Sequence, residues 1–146
     1  MATSAWNKFN DFSEQLVRGV HDFDANTFKV VLVPDTDPPV AADVDLSTIT
    51  QVANGGGYTT GGATTTITIS ETSGTTTVSG TEIVWTGTGS GFGPFRYAVL
   101  YNDSSTAPAD ALIAWFDYGS SISVGAGETF TLKFNNASPG TMFTLV

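Results

Sequence analysis

The hydrophobic pattern of the chain changes its period once, near residue 26. Before that point apolar residues recur at steps of three and four, which is the spacing of one face of an α-helix. The residues on this face are Trp6, Phe9, Phe12, Leu16 and Val20. Ser4 stands where an N-cap is expected, and Gly19 stands where helices commonly end. The sequence therefore predicts one short amphipathic helix near the start.

After Asn26 the period becomes two, and β-branched and aromatic residues dominate. Glycine, proline and asparagine clusters such as "NGGG" and "NNASPG" separate the resulting segments and indicate turns. About ten short strands with regular turns are typical of an all-β antiparallel β-sandwich or jelly-roll-like domain. The predicted strands cover 27–33, 45–52, 63–70, 75–79, 81–86, 95–102, 111–118, 120–124, 129–134 and 141–146.

The faces of these strands differ. Segment 129–134 alternates between apolar and polar residues, as a half-buried strand does, whereas 95–102 and 111–118 are apolar on both faces and should be central. The Thr-rich segment 63–79 is weakly apolar on both faces, which favours an exposed hairpin. We divide the chain into an N-terminal amphipathic helix or arm, residues 1–26, and a β-sandwich domain, residues 27–146.

The aromatic face of the N-terminal segment has two interpretations. It packs on the domain's own sheet, or it docks on a neighbouring subunit or larger partner. On the second interpretation the partner-binding residues are Trp6, Phe9, Phe12 and Leu16. Deleting residues 1–20 would then abolish attachment while the sandwich still folds.

The stretch "GTGSGFGP", residues 87–94, superficially resembles a phosphate-binding loop. Such loops open a helix, whose N-terminal amides hold the phosphate. Here the next residues, Phe95, Tyr97, Val99 and Tyr101, alternate with other residues at the period of a strand. The stretch is therefore predicted to be a turn.

The amino-acid composition of the chain limits the classes of partner that it is expected to bind. The 146-residue chain has 5 Lys and Arg against 14 Asp and Glu, a net charge of −9, and only 13% charged residues. A nucleic-acid binder needs a basic surface, so nucleic acid is not expected as a partner. No apolar run approaches the roughly 20 residues that span a bilayer, and the N-terminus lacks the apolar core of a signal peptide, so no membrane partner is expected. The chain has no cysteine, which removes disulfides and thiolate chemistry.

Candidate catalytic and metal-binding residues are few. His21 is the only histidine, and no Gly-x-Ser-x-Gly elbow accompanies it, which favours a structural role. Glu71, Glu82 and Glu128 suggest no catalytic pair of carboxylates. We predict no enzymatic activity, no catalytic residues and no cofactor.

Two further groups of residues each have two interpretations. The loop residues Asp35, Asp37, Asp43 and Asp45 either hold calcium or form a plain acidic surface, and the second interpretation is preferred. The aromatic residues Trp85, Trp115, Tyr58 and Tyr118 either form a sugar-binding surface or belong to the core, and for the two tryptophans the core is preferred.

Over about residues 6 to 134, the chain resembles a family of small β proteins encoded among the structural genes of tailed bacteriophages. The segments that carry the resemblance are "WNKFNDFSEQLVRGVHDFDANTFKVVLV", "DLSTITQVANGGGYTTGGA", "GPFRYAVLYND" and "LIAWFDYGSSISVGAGETFTLKF". The double-proline turn at 38–39 and the C-terminal "NNASPGTMFTLV" lie outside it. No catalytic residues come with this resemblance.

The resemblance implies a virion protein without enzymatic activity. The expected role is a capsid decoration, or cement, protein on the outer surface of the head. Its expected partners are the major capsid protein and further copies of itself, with a trimer favoured and the Thr-rich hairpin meeting a neighbour. The alternative is a tail, neck or fibre component, including a carbohydrate-binding module for host recognition.

Overall fold

The computed structural model describes residues 2–146, and Met1, the first residue of the predicted arm, lies outside them. Residues 2–146 are mostly β, with ten strands in antiparallel sheets and one short α-helix, as the sequence predicted. The helix α1 covers Phe12–Val17. The strands are β1 Asn7–Lys8, β2 Phe28–Val33, β3 Ala63–Thr65, β4 Ile67–Thr72, β5 Thr75–Gly80, β6 Ile83–Thr86, β7 Phe92–Asn102, β8 Leu112–Val124, β9 Thr129–Leu132 and β10 Gly140–Leu145.

The strands form one large and two small sheets. The large sheet has the order β1-β8-β7-β2-β3, and the small ones are β10-β5-β4 and β6-β9. Because β5 leads directly into β6, and β9 leads into β10, the small sheets are two halves of one bent layer. That layer packs on the large sheet across a shared core, which gives the sandwich its two layers.

Apolar residues cover both faces of the large sheet. The face toward the second layer contributes Val30, Leu32 and Leu100 to the main core. The opposite face buries Val31 and Val99 in a smaller cluster. This arrangement confirms that 95–102 and 111–118 are central strands, since β7 and β8 lie inside the sheet.

The N-terminal segment folds differently from the prediction. The predicted helix from Ser4 to Gly19 is too long. Residues 7–8 form β1 and pair with β8, and only Phe12–Val17 are helical. Ser4 caps no helix, and its hydroxyl accepts a hydrogen bond from the Asp117 amide at 2.8 Å. The C-terminal end was predicted correctly, since Gly19 has a φ of +77°. The Val20 amide closes the helix on the Gln15 carbonyl at 2.9 Å.

The prediction of a strand over 45–52 was wrong. Residues Leu46–Thr48 form a short 3-10 helix, and the Asp45 side chain caps it by accepting from the Ser47 amide at 2.9 Å. A local side-chain cap of this kind competes with strand pairing. The predicted strand 63–70 is real but divides at Thr66, where the chain passes from the large sheet to the second layer.

Residues 87–91 of the glycine-rich stretch form a turn, as predicted, whereas residues 92–94 already belong to β7. This turn leads into β7 and lets two loops touch at the backbone. A Cβ added at Gly56, which has a φ of +61°, would lie 1.7 Å from the Gly91 carbonyl oxygen. Glycine is therefore required where these two loops cross.

Candidate functional site

A cleft of about 840 Å³ lies between the large sheet and β9. We call it the aromatic cleft. Strands β7 and β8 form one wall, β9 forms the other, and the N-terminal residues 2–4 and Trp6 run along it. Its aromatic lining consists of Trp6, Phe95, Phe116, Phe130 and Phe134, with Tyr97 and Tyr118 nearer the rim.

The rings of the cleft are held by contacts with one another. Phe130, which points inward from β9, meets Phe95 edge to face with ring centroids 4.9 Å apart. Trp6 meets Phe116 in the same way at 5.8 Å. Tyr118 leans on Phe130 at 6.1 Å and keeps 37% of its surface exposed. The cleft thus presents one accessible aromatic side chain beside a rigid apolar floor.

The charged groups of the cleft are paired with one another. Arg96 donates two hydrogen bonds to Asp117, at 2.8 and 3.1 Å, and a third to Asp35 at 3.2 Å. Lys133 lies 3.3 Å from Glu82. The hydrogen bonds from Arg96 hold the pKa of Asp117 below its usual value, so this carboxylate stays ionised. The arrangement suits binding and orientation better than proton transfer.

The four predicted partner-binding residues pack on the chain's own core. Phe9 and Phe12 are buried, and Trp6 and Leu16 are partly buried against the main cluster. In this conformation Phe9 and Phe12 are covered by the chain itself, which agrees with the interpretation that the stripe packs on the domain's own sheet. Docking that uses the exposed parts of Trp6 and Leu16 stays a prediction.

His21 is buried, with 3% of its surface exposed, between Phe12 and Phe23. Its Nδ1 lies 3.3 Å from the side-chain nitrogen of Asn102. Nε2 is buried without a hydrogen-bond partner. Burial lowers the pKa of His21 to about 4, against a smaller opposing effect of Asp11. The ring is thus neutral at physiological pH.

Asn102 is the hub around His21. Its fully buried amide nitrogen donates its two hydrogens to the Val20 carbonyl at 3.1 Å and to the Asn26 side chain at 2.8 Å. Its oxygen accepts from the Ser104 amide at 2.9 Å. This network joins the N-terminal segment to the end of β7.

The acidic loop residues do not converge. Asp35 pairs with Arg96, Asp37 with the Thr50 hydroxyl, Asp43 with the Val40 amide and Asp45 with Ser47. Within residues 2–146 no group of three or more histidine, aspartate or glutamate side chains is placed to hold a metal ion. The loop therefore offers no assembled calcium site.

The remaining candidate residues, the glutamates and the four aromatic residues, also lie in different places and form no common site. Glu71 and Glu128 accept from the backbone amides of Gly74 and Gly125 in turns, while Glu82 pairs with Lys133. Trp85 and Tyr58 are buried in the core, as preferred for Trp85, and Trp115 is partly buried against Phe9 at 4.7 Å. Among the four aromatic candidates, Tyr118 alone lines the aromatic cleft.

Comparison of the chain with protein-family models, with curated proteins and with solved structures finds no match. The resemblance to phage structural proteins therefore stays a prediction. Of the helices in residues 2–146, none is long and apolar enough to cross a membrane.

Proposed function

We propose that this protein is a non-enzymatic structural component of a tailed-phage virion, and specifically a decoration protein that binds and stabilises the head lattice. Its work is mechanical, because binding energy spread over neighbouring capsomers resists the outward pressure of packaged DNA. The resemblance of residues 6 to 134 to phage structural proteins is the starting point of the proposal.

The observation that supports a binding role best is the pairing of charges in the aromatic cleft. Arg96 satisfies Asp117 and Asp35, and Lys133 satisfies Glu82. A general acid needs a carboxyl group whose pKa is raised toward neutrality, whereas the pKa of Asp117 is lowered. The cleft wall is accordingly a fixed surface, as a structural contact requires.

The anchoring of both ends of the described chain supports a mechanical role. Residues 7–8 are hydrogen-bonded to β8, and β10 is paired with β5 as far as Leu145. A force applied at either end of the described chain therefore acts on a pair of hydrogen-bonded strands. The net charge of −9 suits an outer surface that faces away from DNA.

Quantitative mass spectrometry of purified virions of the encoding phage tests the proposal. We expect a copy number near that of the major capsid protein. A copy number of a small fraction of that value would move the protein to the tail or neck, and absence from virions would refute a structural role. As a second readout, heads that lack the protein should bind the purified chain and become more resistant to heat.

A carbohydrate-binding tail or fibre module is the second candidate, because Tyr118 is accessible beside the apolar floor of the aromatic cleft. A glycan array tests this candidate with the wild-type chain and with Tyr118→Ala. Val40→Ala, an exposed apolar residue outside the cleft, is the matched control. Binding that Tyr118→Ala abolishes and Val40→Ala retains would favour the module over the decoration protein.

A further inference from the structure

Strand β4 is the least protected edge in the described residues 2–146. The other edge strands are short or irregular: β1 has two residues, β3 three, β6 and β9 four, and β10 is bulged between Thr141 and Phe143. In contrast, β4 has six residues in unbroken register with β5, it contains no lysine, arginine or proline, and its one charged residue is Glu71 near the turn. Natural proteins use such short strands, bulges, charges and prolines to block edge-to-edge association.

The hairpin geometry fixes which backbone groups of β4 point outward. Thr72 pairs with Thr75 across a two-residue turn in which Ser73 and Gly74 both have positive φ, so these flanking residues exchange hydrogen bonds. At the other end the Thr81 amide donates to the Thr66 carbonyl at 3.0 Å. Both observations indicate that the backbone amides and carbonyls of the even-numbered residues of β4 point toward β5. The amides and carbonyls of Ile67, Ile69 and Glu71 therefore face the open edge.

The open edge is complementary to a second copy of itself. Because only odd-numbered residues present outward backbone groups, two antiparallel copies of β4 must pair odd residues with odd residues, so the paired numbers have an even sum. With Ile69 opposite Ile69, Ile67 faces Glu71 of the second copy, and all six outward backbone groups of each strand find a partner. A shift by one step leaves some of these groups unpaired. We propose that β4 is a homotypic docking edge, at which two copies of this chain join their small sheets through an Ile69–Ile69 centre.

Side chains and charges agree with this register. Ile69 keeps 42% of its surface exposed and points into a shallow depression lined by Leu16, Val78 and Leu145. At the two-fold axis the two Ile69 side chains cover each other on that face. Each Glu71 faces an isoleucine, and the two Glu71 residues lie four strand positions, about 13 Å, apart. That separation exceeds the screening length of about 8 Å at physiological salt.

The inference is independent of the proposed function, since it rests on the geometry of one edge alone. It differs from the expectation that the Thr-rich hairpin meets a neighbour in a trimer. Antiparallel self-pairing closes after two copies, whereas a trimer requires β4 to meet a different surface of the next chain.

Sedimentation equilibrium over a wide concentration range, with the full chain, tests the proposal. We expect reversible association toward twice the 15.2 kDa chain mass. Ile69→Lys places two ammonium groups opposite each other at the axis and should weaken association at least about tenfold. Ile69→Pro removes an amide that donates no bond in the monomer, and it should have the same effect.

Val84→Lys is the matched control, because Val84 is a β-branched strand residue with 51% of its surface exposed, on β6 instead of β4. It should associate like the wild type, and all variants should retain the circular dichroism of the wild type. A wild-type chain that stays monomeric at millimolar concentration would overturn the proposal. A trimer, or a dimer that persists in both folded Ile69 variants, would overturn it equally.

Discussion

The stability of the fold should fall when the pH is lowered from 7 to 5, and His21 should account for the loss. His21 is the only histidine of the chain, and the folded protein holds it neutral in the core. Its buried Nε2 has no partner, so a protonated ring would leave a positive charge without an acceptor. Unfolding releases the ring to water, where protonation is easy.

The magnitude follows from two pKa values. The pKa of His21 is about 6.5 in the unfolded chain and about 4 in the fold. Above pH 6.5 both states are neutral; between 6.5 and 4 the unfolded state binds the extra proton, so stability falls as pH falls. The full difference corresponds to about 3 kcal/mol, of which about 2 kcal/mol is lost by pH 5.

Two aspartates, Asp117 and Asp110, also have shifted pKa values. Neither accounts for a loss of stability as the pH falls from 7 to 5. Hydrogen bonds from Arg96 lower the pKa of Asp117, whose contribution is lost only as pH falls below the ordinary aspartate range. Burial raises the pKa of Asp110, so that group loses stability as pH rises through its folded pKa. The loss from neutral to mildly acidic pH is therefore assigned to His21.

Urea unfolding followed by tryptophan fluorescence at pH 7 and pH 5 measures the effect. His21→Gln, which does not titrate, should remove most of the difference between the two pH values. An NMR titration of the single imidazole should place its folded pKa well below 6.5. Equal pH dependence in the wild type and in His21→Gln, or a folded imidazole that titrates normally, would refute the reasoning.

Four further substitutions probe the packing, and each is measured as a free energy of unfolding in urea. Gly56→Ala should cost at least about 3 kcal/mol because its Cβ meets a carbonyl, whereas Gly89→Ala, also at positive φ but in open space, should cost about 1 kcal/mol; equal costs would contradict the loop crossing. Phe9→Ala should lower the free energy of unfolding by about 4 kcal/mol because the ring is buried. A negligible loss would instead support an N-terminal arm that does not pack on the core. Asn102→Ala should cost about 3 kcal/mol by orphaning buried acceptors, including the Val20 carbonyl, and a loss below about 1 kcal/mol would refute its role as hub.

The strands were predictable where the pattern is local. Segment 129–134 alternates, and in the fold Leu132 and Phe134 are buried while Thr131 and Lys133 are exposed. The N-terminal segment was not predictable in the same way. The spacing of Trp6, Phe9 and Phe12 fits a helix, but pairing of residues 7–8 with the edge of β8 overrides that preference.

The aromatic cleft was beyond prediction from the sequence. Alternation indicates that Phe130 and Phe134 turn inward, but it does not show that the two layers separate beside them. Trp6 and Phe116 come from segments more than a hundred residues apart, and only the pairing of β1 with β8 brings them together. The Arg96–Asp117 bond likewise depends on the register of β7 against β8.

Burial of the aromatic stripe also changes how attachment to a partner has to be tested. Removing residues 1–20 would delete β1 and the core side chains Phe9 and Phe12 along with any surface contact. Because losing even one such ring costs several kcal/mol, at the scale of a whole domain's stability, that truncation is expected to unfold the sandwich. A failure of the truncated chain to attach would therefore report on folding. Substitutions at Tyr118 in the cleft and at Ile69 on β4 alter exposed surface while leaving the buried stripe in place, so they test binding by itself.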